Sequence, residues 1–298
     1  MSITSLSAAQ IGALSVTAIQ GLAPSTISAL AATQIAAISA SGIGALSNTQ
    51  VGALSTTQMR ALTVTQVPNF SSEVVFSSAQ MLALSSNQLS VMTATQMESL
   101  STTAIAALAT TQVQALGATN ISALDETQTA ALTTTQIAGL STAQVAALTT
   151  TDIGELSTAQ VRAFTQTQIS RLTTEAFSAF DATQAAALTV TQLKGLTVTQ
   201  TGALTGDDVA EFTATQIASF STSQIRAISE TNMASLTETQ VGALTNTQLQ
   251  SITATNLAAL ADTQIAALSA TKVAALTTAQ ISGLAAADFA EFTTTQLA

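Results

Sequence analysis

The stretch LTTTQIAGLSTAQVAALTTTDIGEL, Leu132 to Leu156, writes one phrase three times: leucine, three small residues, Gln or Asp, a branched apolar residue, two further residues, and leucine again. Numbered from its leucine as position 1, the phrase fills 35 complete octads, starting at Leu6 through Leu62 and again at Phe76 through Leu284. Position 1 is Leu, Ile, Phe or Met in all 35. Position 6 is a large apolar residue in 32, the exceptions being Thr129, Ala185 and Thr201. Position 2 is Ser, Thr or Asp in 29, and position 5 is Gln in 23 with Asn or Asp in six more.

A period of eight excludes one long helix. At about 100° per residue, each octad would drift by roughly 80°, and no apolar stripe would hold to one side. A β-solenoid is the alternative, since Thr, Ile and Val favour strands. Against it, Ala and Gln are abundant, and positions 1 and 6 have opposite strand parity. One very short helix per octad agrees with four signals. Ser or Thr at position 2 with Gln at position 5 forms a capping box. Positions 1 and 6 are then the two halves of a hydrophobic staple. Pro24 falls at the first helical position, where proline is welcome. Charge is sorted as a helix dipole prefers: 11 of the 16 acidic residues lie at positions 2–5, and Arg60, Arg162, Arg171, Lys194 and Arg226 lie at positions 7 or 8. Lys272, at position 5, is the exception.

The expected fold is therefore an all-α solenoid, a superhelix of very short helices, with Leu and Ile inward and Thr, Ser and Gln outward. Each helix of about six residues is too short to persist alone, so stability has to come from stacking along the array. With two or three octads per turn, packed helices give a rod of about 100–170 Å. Residues 1–298 read as a single domain. The unit FSSEVV, Phe70 to Val75, has six residues and follows Pro68, so residues 66–76 form the only local irregularity. The phase runs from Met1, at position 4, to Ala298, at position 7, without atypical capping repeats. That pattern predicts a piece of a longer array or copies stacked end to end.

The phrase LTTTQIAGL resembles the L-T-x-x-Q-[IV]-x-A-L arrays of large, low-complexity proteobacterial proteins, some of them secreted or cell-surface. The resemblance covers essentially the whole chain and implies a helical repeat, a bacterial source and no catalytic residue. The phrase is also similar to the opening helix of a TAL-effector repeat, but no second helix or base-reading loop follows it.

Composition narrows the function. Charged residues are 7% and aromatics 3%, with no Cys, His, Trp or Tyr and a net charge of −10. Six scattered basic residues make no phosphate-binding patch, so nucleic acid is not an expected partner. No stretch approaches the roughly 18 apolar residues of a membrane span, and no N-terminal signal peptide is seen. Without His or Cys, no Ser or Thr has a partner base that singles it out, and neither catalysis nor a cofactor is expected. Three octads place Asp at position 5 and Glu at position 8: Asp152 and Glu155, Asp208 and Glu211, Asp288 and Glu291. These i, i+3 pairs share a helical face and are weak calcium candidates. Phe164, Phe180, Phe212, Phe220 and Phe292 at position 1 predict a locally enlarged core. The leading expectation is a structural rod, spacer or end-to-end filament at the cell surface or outside the cell. The alternative is a binding module that offers a repetitive Thr and Ser face to ice, glycan or another ordered surface.

Overall fold

The computed structural model describes residues 3–297. It contains 34 α-helices of four to six residues and two 3₁₀ segments, Ile3–Ser5 and Val67–Asn69, with no strand among the described residues. The β-solenoid alternative is thereby excluded for those residues. The chain forms two compact units, Met1–Leu148 and Thr149–Ala298, and each repeats the same construction.

Most helices begin at a Ser, Thr or Asp. In Val198–Ala203 the Thr197 hydroxyl accepts the Gln200 N–H at 3.1 Å, and Gln200 Oε1 accepts the Thr197 N–H at 2.9 Å. All but six of the 34 helices have such a side-chain cap, and those six have Ala or Gly at the N-cap. At Ala31, Ala109 and Ala261 half of the box survives, because Gln34, Gln112 and Gln264 still accept the N-cap N–H. Asp125 caps its helix as a carboxylate held below its usual range, chiefly by the Thr127 hydroxyl and then by the Gln128 N–H. Its contribution is therefore present above the ordinary carboxylate range and lost as pH falls through the lowered value.

Helices end either at position 1, where the backbone turns extended, or one or two residues earlier on an αR residue such as Ala13 or Lys194. Leu204 has φ −54° and ψ 145°, and its N–H closes a 3₁₀-type bond to the Thr201 carbonyl. The next residue caps the next helix, so one junction stops one element and starts another.

Helices pack against the third helix onward. Ala8–Gly12 lies on Ala32–Ala37, Val198–Ala203 on Thr222–Ala227, and Ala214–Ala218 on Glu238–Ala243. Three octads therefore make one turn within each unit, the upper of the two expected values. Positions 1 and 6 fill the core: Ile35, Val51, Ile153 and Leu193 are completely buried, and Leu30, Leu54 and Leu204 nearly so. Thr201, buried at position 6, satisfies its hydroxyl on the Thr197 carbonyl of its own helix at 3.0 Å. Ala185 leaves space that Phe177, Phe180 and Phe212 close around. The Phe177 and Phe180 rings meet edge to face at 5.4 Å, and Phe212 and Phe220 do so at 5.6 Å.

The six-residue unit keeps its slot without a helix of its own. Helix Thr56–Ala61 packs on Ser78–Ala83, three units further on. Buried Val74 takes the inward place, and Phe70 and Phe76 meet edge to face at 5.3 Å. After residues 66–76 the helices resume at Ser78–Ala83. The end positions assigned to Met1 and Ala298 lie outside the described residues.

Glutamine departs from expectation. At position 5 it faces inward: Gln50, Gln88, Gln136, Gln200 and Gln240 are all buried.

Turns approach most closely where position 8 of one turn meets position 3 of the turn before. A Cβ on Gly195 would lie 2.4 Å from the Gln166 carbonyl oxygen, whereas one on Gly154 would meet nothing within 4 Å. Gly195→Ala is expected to destabilise by about 1–3 kcal/mol through overpacking. Gly154→Ala, in an exposed helical position, is expected to stabilise by about 0.5–1 kcal/mol. Urea denaturation of the two variants reads both signs; equal shifts would contradict the close approach.

Candidate functional site

The chemistry of this chain is concentrated at position 5. A primary amide carries an acceptor oxygen and a two-proton donor nitrogen. Gln58 uses both: Oε1 accepts the Ser55 N–H at 2.8 Å, and Nε2 donates to the carbonyls of Ile27 at 2.9 Å and Leu30 at 2.8 Å. The first bond starts the glutamine's own helix. The other two satisfy the end of a helix, and the junction after it, in the turn before. Gln136 reaches Ile105 and Leu108 in the same way, and Gln216 reaches Ala185 and Leu188. Across the six-residue unit the reach survives with two residues fewer between partners, as Gln88 donates to Met59 and Leu62.

Substitutions at position 5 separate the two functions. Asn120 and Asn256 donate to the Met92 and Ile228 carbonyls of the preceding turn, both at 2.8 Å, while no bond joins their oxygen to the N-cap N–H. Their side chain is one methylene too short for both. Asp152 and Asp208 do the reverse. Each accepts the N-cap N–H, of Thr149 or Thr205, at 2.7 Å, and a carboxylate has no proton to donate to the turn before. Lys272 donates from Nζ to the Gly242 carbonyl, which explains a cation at a first-turn position.

Position 7 adds a second, sparser link. Gln114 Nε2 donates to the Gly139 carbonyl at 2.7 Å, Gln250 Nε2 to Ala275 at 2.8 Å, and Arg162 Nε to Ala187 at 3.3 Å. Gln114 and Arg162 meet the last carbonyl of a helix in the following turn, where the helix dipole favours a cation such as Arg162, and Gln250 meets one just beyond Ala270–Val273.

The acidic pairs are spread along the chain. Among the described residues no group of three or more His, Cys, Asp or Glu side chains is placed to hold a metal ion. Asp152 is buried in its capping box, with the Thr149 hydroxyl donating to it at 3.0 Å. Glu155 closes the same short segment. Asp288 accepts the Ala285 N–H at 2.6 Å. Glu291 is raised above the usual carboxylate range by burial, by a hydrogen bond with Asp262 and by the charges of Asp262 and Asp288. Asp208 accepts from the Ser178 hydroxyl at 2.8 Å. Beside it, Glu211 is raised first by burial and then by the charges of Asp208, Asp181 and Asp207. Asp208, Glu211 and the three phenylalanines around Ala185 enclose a cavity of about 10 Å³, room for one water.

Hydroxyls divide by position. Those at position 2 are engaged as caps, and several also donate to the glutamine oxygen, as Ser157 does to Gln160 at 2.8 Å. Those at positions 3 and 4 are mostly exposed, for example Thr150, Thr151, Thr222 and Thr239. Open grooves run between successive turns. One of about 500 Å³ is lined by Ser235, Thr237, Glu238, Thr239 and Thr263. Among the described residues no helix is long and apolar enough to cross a membrane.

Comparison with known families finds similarity to one described as the ALTTAQ repeat, in overlapping matches over residues 121–158 and 145–182. The six letters of that description occur literally at Ala275–Gln280. Comparison with curated proteins and with solved structures gives no match.

If the position-5 amide joins the turns, its variants should rank by which bonds they lose. Gln200→Asn should cost least, because it keeps a donor toward Leu172. Gln200→Leu, which strands buried carbonyls, should cost about 1–3 kcal/mol, and Gln200→Glu, which sets a charge against them, still more. Guanidinium denaturation gives the order; an Asn variant as damaging as Leu would contradict the division of roles.

Proposed function

We propose that this chain is a structural repeat protein and not an enzyme: an extended rod or spacer that continues end to end into filaments. One observation carries this reading. Buried polar chemistry goes into joining each turn to the last, through glutamines such as Gln58, Gln136 and Gln216. A contact of this kind is indifferent to how many turns precede it, so its natural product is length.

End-to-end association follows from the same contact. Gln10 accepts the Ser7 N–H at 2.9 Å, and its exposed Nε2 has no acceptor among the described residues. At the other end, Leu276, Ile281 and Leu284 are half-exposed, whereas inner counterparts such as Leu249 and Leu257 are completely buried. A further turn set in register, of the same polypeptide or of a second copy, would add a rung and cover these residues; between copies, a head-to-tail contact that does not close gives a filament. The resemblance to proteobacterial arrays supports a place at the bacterial cell surface or outside the cell.

The exposed threonines at positions 3 and 4, repeated along open grooves between turns, favour a second reading: a binding module for ice, glycan or another ordered surface. Assays of ice recrystallisation and glycan-array binding address it directly.

Sedimentation velocity and negative-stain microscopy over a hundredfold concentration range test the structural reading. Filaments that lengthen with concentration, and shorten in Gln10→Leu, are expected. Particles of unchanging length in both proteins would refute end-to-end assembly and leave a spacer; a compact particle would refute the rod as well.

A further inference from the structure

Glu211 stands at the wrong end of its helix. A carboxylate at a helix C-terminus opposes the dipole, and this one half-buries itself beside other acids. The turn beneath it is also under-bonded. Gln200 and Gln216, on either side in sequence, each donate to two carbonyls of the preceding turn. Between them stands Asp208, which has no proton to give. Among the described residues no side-chain amide reaches the carbonyls of Phe177 and Phe180 from the turn above. The Ser178 hydroxyl, which donates to Asp208 at 2.8 Å, is the side-chain bond across this place. Packing is thin there too, since Ala185 replaces a large residue and leaves the cavity lined by Phe177, Phe180, Phe212, Asp208 and Glu211.

The charges facing Glu211 are all negative. Asp207 and Asp208 lie on its own helix, Gly206–Glu211. Asp181 caps Ala182–Ala187, which packs against that helix from the preceding turn. The helix that packs from the following turn, Glu230–Ala234, carries one charged residue, the exposed Glu230, also an acid.

We propose that the seam between Ala182–Ala187 and Gly206–Glu211 is an acid-closed joint, loosened when Glu211 is charged and tightened when it takes up a proton. Protonation removes one of the crowded negative charges beside the place where the amide is missing. The sign agrees with the chemistry of the group. Glu211 is raised above its ordinary range by burial first and by neighbouring acids second. Its stabilising effect is therefore complete below the unfolded-state value and lost as pH rises through the folded one. Neutral pH is the loose state. The spacing recurs at Asp288 and Glu291, where the glutamate is again raised and hydrogen-bonds Asp262 of the preceding turn.

Hydrogen exchange of the full chain, read as protection factors at pH 7 and pH 4.5, tests the joint. The amides of 206–212 are compared with those of 238–252 in the same unit. In the wild type the ratio should rise about threefold or more in acid. Glu211→Gln should hold it high at both pH values, and Asp208→Gln, which restores the amide, should raise it at pH 7. A wild-type ratio indifferent to pH, or a Glu211→Gln variant that keeps the full rise, would overturn the proposal. So would Asp208→Gln with an unchanged ratio at pH 7, provided circular dichroism shows that variant to be folded.

Discussion

A four- to six-residue helix leaves most of its backbone groups unpaired at both ends, and the whole molecule turns on how those groups are satisfied. The position-5 glutamine answers for two helices at once. Its oxygen takes an N–H at the start of its own helix, and its nitrogen gives protons to the carbonyls that finish a helix in the turn before, as at Gln58 and Gln240. Because the amide is buried among apolar side chains, leaving either end unmade carries the full desolvation cost. The bond is thus both a cap and a register pin: a turn shifted by one residue would present the wrong carbonyls.

Energetics and assembly share this origin. Two large side chains per octad cannot offset the entropy of ordering eight residues, so a lone turn has no stable existence. Each added turn buries the face of the last and completes its carbonyls, which makes stability a property of neighbours. Departures from glutamine then set local strength. Asn keeps the bond between turns, Asp keeps the cap but has no donor for the turn before, and Lys272 keeps a donor as a cation. Variation at one position tunes cohesion along the stack without changing its geometry. The Asp octads are its weak rungs, and in two of them, at Glu211 and Glu291, acid accumulates beside the weakness.

Much of this was legible in the letters. Period eight with S/T-x-x-Q gave the helix starts, and the six positions lacking Ser, Thr or Asp coincide with the six helices that lack a side-chain cap, such as Ala23 and Gly117. The inward direction of glutamine was not foreseen, although a signal was present. A capping box accepts Glu as readily as Gln, and the helix dipole prefers Glu there, yet position 5 is never Glu in the 35 octads. That exclusion points to a donor requirement that no single octad reveals. Lys272 carried the same message, as a donor in a first turn where a cation is otherwise out of place.

By itself the sequence determined where the helices start, which two residues of each octad enter the core, and that no His or Cys is at hand for chemistry. The helix starts and the core positions are local matters, decided by capping, proline placement and apolar spacing within eight residues. Only the tertiary structure decided that three octads complete a turn, that the glutamine is buried, and that Asp208 and Glu211 meet the aromatic cluster around Ala185. Those depend on which residues some thirty positions apart become neighbours, as Gln200 and Ile169 do, and a repeat that looks alike at every position holds no mark of which partner it will meet.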